Sequence, residues 1–279
     1  AYSNCGNALK KLGQLNEAIE KYSEAIRLKP DFTEAYYNRG NTSEQLGQFN
    51  AAVNDYNKAI ELNPKLDQAF YNCGLALEQL GQPDAAVKNY NKAIEINPDF
   101  AEGYNNRGNA LKTLGRMDEA RDSYTKAIQL KPDFVEAFNN RGIALQELGQ
   151  LDAAVKSYGK AIGISPDYAA GYNNLGNTLQ QLGKMDEAIK KFDKAIELKP
   201  DFPEAYNNRG NVLRELGLLS DAISSYSKAS QLKPDYPEAY NNWGVSLQEL
   251  GQLNAAVKNY NKAIQLSPDL YTMAYSNLL

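Results

Sequence analysis

The sequence predicts an all-α solenoid of eight helix pairs, and two observations carry this prediction. Prolines recur every 34 residues without a slip, at Pro30, Pro64, Pro98, Pro132, Pro166, Pro200, Pro234 and Pro268. Further positions are also identical in all eight copies of the unit, and in the copy at residues 33–66 they include Gly40, Leu46, Gly47, Ala52 and Ala59. We call each such position a column and name it by its residue in that copy. A fixed period of this length is typical of arrays in which stacked neighbours bury a shared core.

Each unit is predicted to contain two helices. The first follows the Pro–Asp pair and runs to Leu46, where Gly47 supplies a left-handed residue that other residues adopt at a steric cost. The second is expected to begin at the Asn50 column with a side-chain N-cap. That column holds Asn16, Asn50, Asp84, Asp118, Asp152, Asp186, Ser220 and Asn254. The next proline ends the helix.

Small and large residues are combined where the two helices meet. The Gly40 and Ala52 columns remove side chains at the contact, and the Tyr36 and Tyr56 columns fill the space beside them. The Tyr56 column is Tyr in seven copies and Phe192 in one.

The Arg39 column lies on the same packing side as these residues. Because a buried arginine needs a partner, we expect Asp55 to pair with Arg39, while the sequence assigns no acid to Arg107, Arg141 or Arg209.

Composition excludes several functional classes. The 279 residues contain no histidine and carry a net charge of −4. The commonest general base and metal ligand is therefore missing, and no glycine-rich phosphate loop is present, so we predict a non-catalytic segment without metal or cofactor. The acidic balance disfavours nucleic acid and membrane partners.

Cys5 and Cys73 are expected to be buried thiols rather than a disulfide. Neither a membrane span nor a signal peptide is evident, so a cytoplasmic or nucleocytoplasmic location is expected.

The pattern of the unit resembles the tetratricopeptide repeat, through the columns Tyr36, Gly40, Ala52, Tyr56, Ala59 and Pro64. This resemblance implies a right-handed αα-superhelix whose first helices line the concave surface. We expect the array to span residues 1–270, with a first repeat truncated by two residues. Residues 271–279 are expected to start a terminal capping helix, the seventeenth, or a following domain. The alternative family is the pentatricopeptide repeat, which reads RNA. It is disfavoured, because it has a different period and a basic face.

One stripe of the first helix is polar in every unit. At 100° per residue, Glu34, Asn38, Asn41 and Gln45 fall opposite the packing face, and the resemblance places them on the groove floor. The Asn38 column is invariant and comprises Asn4, Asn38, Asn72, Asn106, Asn140, Asn174, Asn208 and Asn242. The Asn41 column is asparagine in five units, as Asn7, Asn41, Asn109, Asn177 and Asn211. Tyr37 and Tyr71 are predicted either to form an aromatic ledge near the N-terminal end of the groove or to be partly buried by packing.

These asparagines predict a scaffold that binds an extended peptide of a partner protein. Helices about 10 Å apart would present one asparagine for roughly every three residues of extended chain. A carboxamide both donates and accepts, which matches a peptide main chain. We expect the Asn38 column to face solvent, so that its replacement leaves the fold intact. Two alternatives stay open for it: hydrogen bonds to a neighbouring repeat, or copies inherited through duplication.

Two further functions remain open. An unbroken asparagine ladder resembles the repeat domain of O-linked N-acetylglucosamine transferases, so the alternative function is the substrate-recognition region of such an enzyme. The carboxylate clamp of some family members is disfavoured, because Glu34 and Tyr37 occupy two of its cationic places. The sequence also predicts weak end-to-end self-association through apolar residues near the C-terminal end, namely Tyr271, Met273, Ala274, Leu278 and Leu279.

Overall fold

A computed structural model of the chain describes residues 1–267. Within that range sixteen helices follow one another, and no strand forms. They are α1 (Tyr2–Lys11), α2 (Leu15–Leu28), α3 (Thr33–Gln45), α4 (Phe49–Leu62), α5 (Asp67–Gln79), α6 (Pro83–Ile96), α7 (Ala101–Thr113), α8 (Met117–Leu130), α9 (Val135–Glu147), α10 (Leu151–Ile164), α11 (Ala169–Gln181), α12 (Met185–Leu198), α13 (Pro203–Glu215), α14 (Leu219–Leu232), α15 (Pro237–Glu249) and α16 (Leu253–Leu266). The predicted all-α repeat class is confirmed.

The chain divides into two compact units, residues 1–144 and residues 145–279. Within each, consecutive helices pair, and each pair packs on the next. The expected seventeenth helix, the boundary at residue 270 and the apolar residues at 271–279 lie outside the described residues. None of the helices in residues 1–267 is long and apolar enough to cross a membrane.

The turn between paired helices is closed by the backbone around Gly47. Gly47 has φ +71°, its N–H donates to the carbonyl of Glu44 at 2.9 Å, and the Gln48 N–H donates to Ser43 at 2.8 Å. This pair of bonds is a Schellman motif, which satisfies carbonyls at the end of α3. The predicted left-handed role of the Gly47 column is confirmed, since all eight of its glycines have positive φ.

The predicted side-chain N-caps are wrong. Helix α4 begins at Phe49, one residue before Asn50, and its N-cap is Gln48, whose side chain makes no capping bond. The Schellman turn places Gln48 directly at the start of α4, and its carbonyl accepts the first helical bond from Ala52 at 3.0 Å. Aspartates of the column, such as Asp84, lie in the first helical turn, where a carboxylate stabilises the helix dipole.

The core of each repeat is an aromatic ring packed on a glycine. A Cβ added to Gly40 would lie 2.8 Å from Cε1 of Tyr56, so the ring occupies the space that a side chain would need. Tyr56, its tyrosine counterparts and Phe192 are all 0% exposed, as is Ala52. The predicted close approach at the Gly40 and Ala52 columns is confirmed.

The Arg39 column packs between second helices. Arg39 Nη2 lies 2.7 Å from Asp55 Oδ1, and Nη1 donates to Ser23 Oγ at 2.9 Å, so the expected pair is confirmed. Where serine replaces the aspartate, its hydroxyl accepts instead, as Ser123 does from Arg107 at 3.1 Å. In unit 2, Ser225 accepts from Arg209 Nη1 at 2.9 Å, and Asp193 lies 2.7 Å from Arg209 Nε.

An aromatic ring of the Tyr36 column lies under a cation in both units. The Arg39 guanidinium lies 5.7 Å from the centroid of Tyr36. In the repeat whose Arg39 column holds Leu175, the cation comes from Lys191, 6.0 Å from the centroid of Tyr172. In this repeat the second helix therefore supplies the cation that the first helix lacks.

The two cysteines differ in environment. Cys73 is buried, and burial raises the pKa of its thiol to about 12. Cys5 is exposed, so the expectation of a buried thiol is wrong there. It lies on α1, which packs mainly against α2.

Candidate functional site

The polar stripe lines open depressions on the first helices of unit 1. One, of about 590 Å³, brings together Glu34, Asn38 and Gln45 of α3 with Asn7 and two lysines of α1, Lys10 and Lys11. A second, of about 520 Å³, extends over α1, α3 and α5 and is lined by Lys10, Asn41, Glu44, Gln45, Phe49, Asn72, Leu75 and Gln79. The two depressions share Lys10 and Gln45, so residues of the predicted stripe line adjacent openings over these helices. The two lysines are groove residues that our sequence analysis missed.

Side-chain amides of the Asn38 column donate to the first helix of the preceding repeat. In unit 1, Asn38 Nδ2 lies 3.2 Å from Asn7 Oδ1, and Asn72 Nδ2 lies 2.9 Å from Asn41 Oδ1. The same bond joins Asn140 to Asn109 at 3.1 Å and, in unit 2, Asn242 to Asn211 at 3.1 Å. The two asparagine columns are therefore bonded to each other between repeats.

The oxygens of the Asn41 column also accept from the buried tyrosine of their own repeat. The Tyr56 hydroxyl lies 2.8 Å from Asn41 Oδ1 and 2.6 Å from Glu44 Oε2, so its one proton is shared between two acceptors. Tyr124 donates to Asn109 Oδ1 at 2.8 Å, and the corresponding distances are 2.7 Å from Tyr22 to Asn7 and 2.9 Å from Tyr226 to Asn211. The oxygens of Asn7, Asn109 and Asn211 each hold two donors, so neither of their lone pairs is left for a ligand.

Three repeats have an apolar residue in the Asn41 column, and there the tyrosine uses another acceptor. Leu75, Ile143 and Val245 occupy the column. In those repeats the Glu44 column accepts, through Glu78 from Tyr90, Gln146 from Tyr158 at 3.2 Å, and Gln248 from Tyr260 at 2.8 Å. Burial raises the pKa of Glu78, an effect that the bond from Tyr90 opposes.

A third column, at Tyr37, takes part in the same network. Tyr37 accepts from Asn72 at 3.1 Å, and Tyr71 accepts from Asn106 at 2.7 Å. Both tyrosines are half-buried, and the ring of Tyr71 lies 4.6 Å from that of Phe100, centroid to centroid. They are packed residues with hydroxyls in the network, rather than a free aromatic ledge.

From the fourth repeat onward this column holds buried asparagines that sequence analysis missed: Asn105, Asn139, Asn173, Asn207 and Asn241. The oxygens of Asn105, Asn173 and Asn207 replace the tyrosine hydroxyls, accepting from Asn140 at 3.3 Å, Asn208 at 3.0 Å and Asn242 at 3.2 Å. Burial of a primary amide requires such partners.

The expectation that the Asn38 column faces solvent is wrong. Asn140 is 8% exposed, Asn4 is exposed, and the other members are half-buried. The column is demanded by contacts between repeats, because its Nδ2 groups satisfy oxygens of the preceding first helix. The alternative of hydrogen bonds to a neighbouring repeat is therefore confirmed for these nitrogens.

In most asparagines of the Asn38 and Asn41 columns, the network uses only one half of the carboxamide, either Oδ1 or Nδ2, and leaves the other half free. Within residues 1–267, Oδ1 of Asn38, Asn72 and Asn140 accepts no hydrogen bond, and Nδ2 of Asn41 and Asn109 donates none. The free oxygens belong to one column and the free nitrogens to the other. Each free half is oriented by the bond that the other half makes.

Asn140→Ala is expected to lower the free energy of unfolding by about 1.4 kcal/mol. Loss of the bonds to the oxygens of buried Asn105 and half-buried Asn109 costs about 2 kcal/mol, and the better helix propensity of alanine returns about 0.6 kcal/mol. The matched control is Asn4→Ala, in the same column but exposed, which should raise the free energy of unfolding by up to about 0.6 kcal/mol, because it gains helix propensity and loses no bond. Urea denaturation measures both, and equal effects would contradict a role in joining repeats.

Comparison with known proteins agrees with this architecture. A family model described as TPR repeat matches residues 6–47, 44–81, 79–115, 108–149, 144–183, 176–217 and 210–251, and one described as tetratricopeptide repeat matches residues 237–270. A search of curated proteins finds no match.

Several solved structures, in contrast, are similar to this chain. A MamA structure is 27% identical over 58% of this chain and 94% of that chain, with a TM-score of 0.56. YrrB, described as a TPR protein with an unusual peptide-binding site, is 25% identical over 69% of this chain and 100% of that chain, with a TM-score of 0.54. The APC/C hetero-tetramer Cut9-Hcn1 is 17% identical over 98% of this chain and 54% of that chain, with a TM-score of 0.66, which shows the fold alone. With family matches along residues 6–270, the chain belongs to the tetratricopeptide repeat family.

Proposed function

We propose that the first-helix face of this chain binds an extended segment of a partner protein through that segment's main chain. The observation that carries the proposal is the arrangement of free half-amides: oxygens from the Asn38 column and nitrogens from the Asn41 column. An extended peptide offers alternating N–H and C=O groups, which these oxygens and nitrogens complement.

Pre-orientation favours such binding. A free asparagine side chain loses rotamer freedom when it binds, which costs affinity. Here Asn72 is held by its bonds to Asn41 and Tyr37, so the free oxygen of Asn72 already has a fixed direction. Recognition of the main chain also makes the groove tolerant of the ligand's side chains.

The role is that of a scaffold and includes no chemical step. Tetratricopeptide repeats are typically non-catalytic, and this sequence contains no histidine. YrrB, a relative by structure, is described as having a peptide-binding site, which fits this role. If the repeats serve a sugar transferase, as the asparagine ladder suggests by resemblance, the same face would present a protein substrate to the enzyme.

The test uses a fluorescent peptide of about twelve residues, long enough to cross about four repeats, isolated from a random display library on the intact chain. Scrambling its sequence should weaken binding less than about fivefold, whereas N-methylation of three alternate residues should weaken it by tenfold or more, because it removes main-chain donors.

Two results would contradict the proposal. One is a failure to recover any binding peptide. The other is a peptide that tolerates N-methylation but not scrambling, since this would mean that side chains carry the recognition. Single-stranded RNA serves as a negative control, because the net charge of −4 offers it no counterion-release gain.

A further inference from the structure

Phe192 is the exception in the Tyr56 column. Its ring is fully buried against Gly176, where an added Cβ would lie 2.7 Å from Cε1 and 2.9 Å from Cζ. At Gly210 the corresponding distances to Tyr226 are 2.6 and 2.8 Å, so the two rings occupy the same position in their repeats. Phe192 therefore fills the core as a tyrosine does, but it brings no hydroxyl to the groove.

Asn177 is the member of the Asn41 column that lacks this hydroxyl. The other four asparagines of the column each accept one bond from a tyrosine and one from an asparagine of the next repeat. Asn177 accepts neither, because Asn208 donates to Asn173 at 3.0 Å instead.

The neighbouring polar side chain of the same repeat is also turned elsewhere. Gln180, in the Glu44 column, donates to Glu215 of α13 at 2.5 Å. Asn177 is half-buried and makes no side-chain hydrogen bond to any residue in the part of the chain that the structure describes. Both halves of its carboxamide are therefore available to a ligand.

We propose that Asn177 is the principal anchor for the ligand's main chain, an inference that rests on the proposed function. Other groove asparagines offer a ligand one free half of the amide, whereas Asn177 offers Oδ1 as an acceptor and Nδ2 as a donor. Its second hydrogen bond to the ligand offsets the rotamer freedom that this side chain, held by no bond of its own, loses on binding. It can bond both the N–H and the C=O of a single extended ligand residue. The ligand residue that faces Asn177 must then keep its N–H, so proline is excluded at that place.

The experiment combines protein variants with the peptide isolated on the intact chain. Each peptide residue is N-methylated in turn, and affinity is measured by fluorescence anisotropy. One position should show the largest loss, about tenfold. Asn177→Ala should weaken the unmodified peptide by a similar factor and should abolish the additional effect of N-methylation at that position only.

Phe192→Tyr is the decisive second variant. The column already holds tyrosine in seven repeats, so the ring will be accommodated, and its hydroxyl is expected to donate to Asn177 Oδ1. Peptide affinity should fall about threefold to fivefold while thermal stability is retained or raised. Tyr226→Phe is the matched control: it removes the same hydroxyl from the next repeat, where Asn211 still accepts from Asn242, and should leave affinity unchanged.

The outcomes separate the two proposals. If no peptide binds the wild-type chain, the proposed function itself fails, and this inference fails with it. If peptides bind but Asn177→Ala and Phe192→Tyr leave affinity and the N-methylation profile unchanged, the groove binds peptides without Asn177 as its anchor. A loss in both variants together with an altered profile supports the assignment.

Discussion

Replacing Tyr124 with alanine is expected to lower the free energy of unfolding by about 3–5 kcal/mol, as for other fully buried aromatic residues. The ring is 0% exposed and occupies the space left by Gly108, where an added Cβ would lie 2.5 Å from Cε1. Alanine would leave a cavity between α7 and α8 and would remove the donor to Asn109. Hydrogen exchange of α7 and α8, together with urea denaturation, measures the loss.

Tyr124→Phe is the control for the ring. It removes the hydroxyl but keeps the volume, so it should cost about 1 kcal/mol. Phe192 shows that the fold accommodates the phenylalanine ring in this column. Should the alanine and phenylalanine variants unfold at the same urea concentration, the ring would not be what holds the pair together.

The second large effect is expected for Arg39→Leu, at about 3 kcal/mol. The Asp55 side chain is only 9% exposed, and the bonds from Arg39 are at 2.7 and 2.8 Å. Without the arginine, Asp55 remains as a buried charge with no cation beside it. Differential scanning calorimetry and urea denaturation give the cost.

Another repeat supplies the matched rescue for this variant. There leucine and lysine, Leu175 and Lys191, stand in the columns of Arg39 and Asp55, and the lysine lies over Tyr172. Arg39→Leu combined with Asp55→Lys should therefore recover most of the lost stability, with the new lysine over Tyr36. If the double variant is as unstable as the single one, the cost comes from lost packing of the arginine stem and not from an unpaired carboxylate.

The helices and their close contacts follow from residue types alone. The left-handed turn at Gly47 and the approach at Gly40 each require a residue without a side chain, and an invariant glycine indicates such a requirement. The start of α4 was misplaced by one residue because Asn50 is a good cap by type. The Schellman turn at Gln48, which depends on backbone geometry, decides where the helix starts.

The bonds of the site depend on information that one repeat does not contain. Asn72 donates to Asn41 and Tyr37 of the preceding repeat. The distance from Asn72 to these two acceptors is set by how two first helices pack. Periodicity gives the face of a helix but not the separation of its neighbour. The sequence nevertheless contains a signal for the network. Where the Asn41 column is apolar, as at Leu75 and Val245, the Glu44 column three positions later holds an acceptor, Glu78 or Gln248. Where the Asn41 column holds Asn109, the Glu44 column holds a lysine, which cannot accept.

The choice of two acceptors for one buried hydroxyl has an evolutionary consequence. Each tyrosine needs an acceptor, and either the Asn41 or the Glu44 column satisfies it, as Tyr124 and Tyr260 show. Because one acceptor is enough, the residue in the other column is not needed for this bond, and its charge or polarity can change at little cost to folding. Lys112, Arg214 and Val245 occupy positions released in this way. A duplicated repeat can thus diversify its groove surface one residue at a time while its core stays fixed.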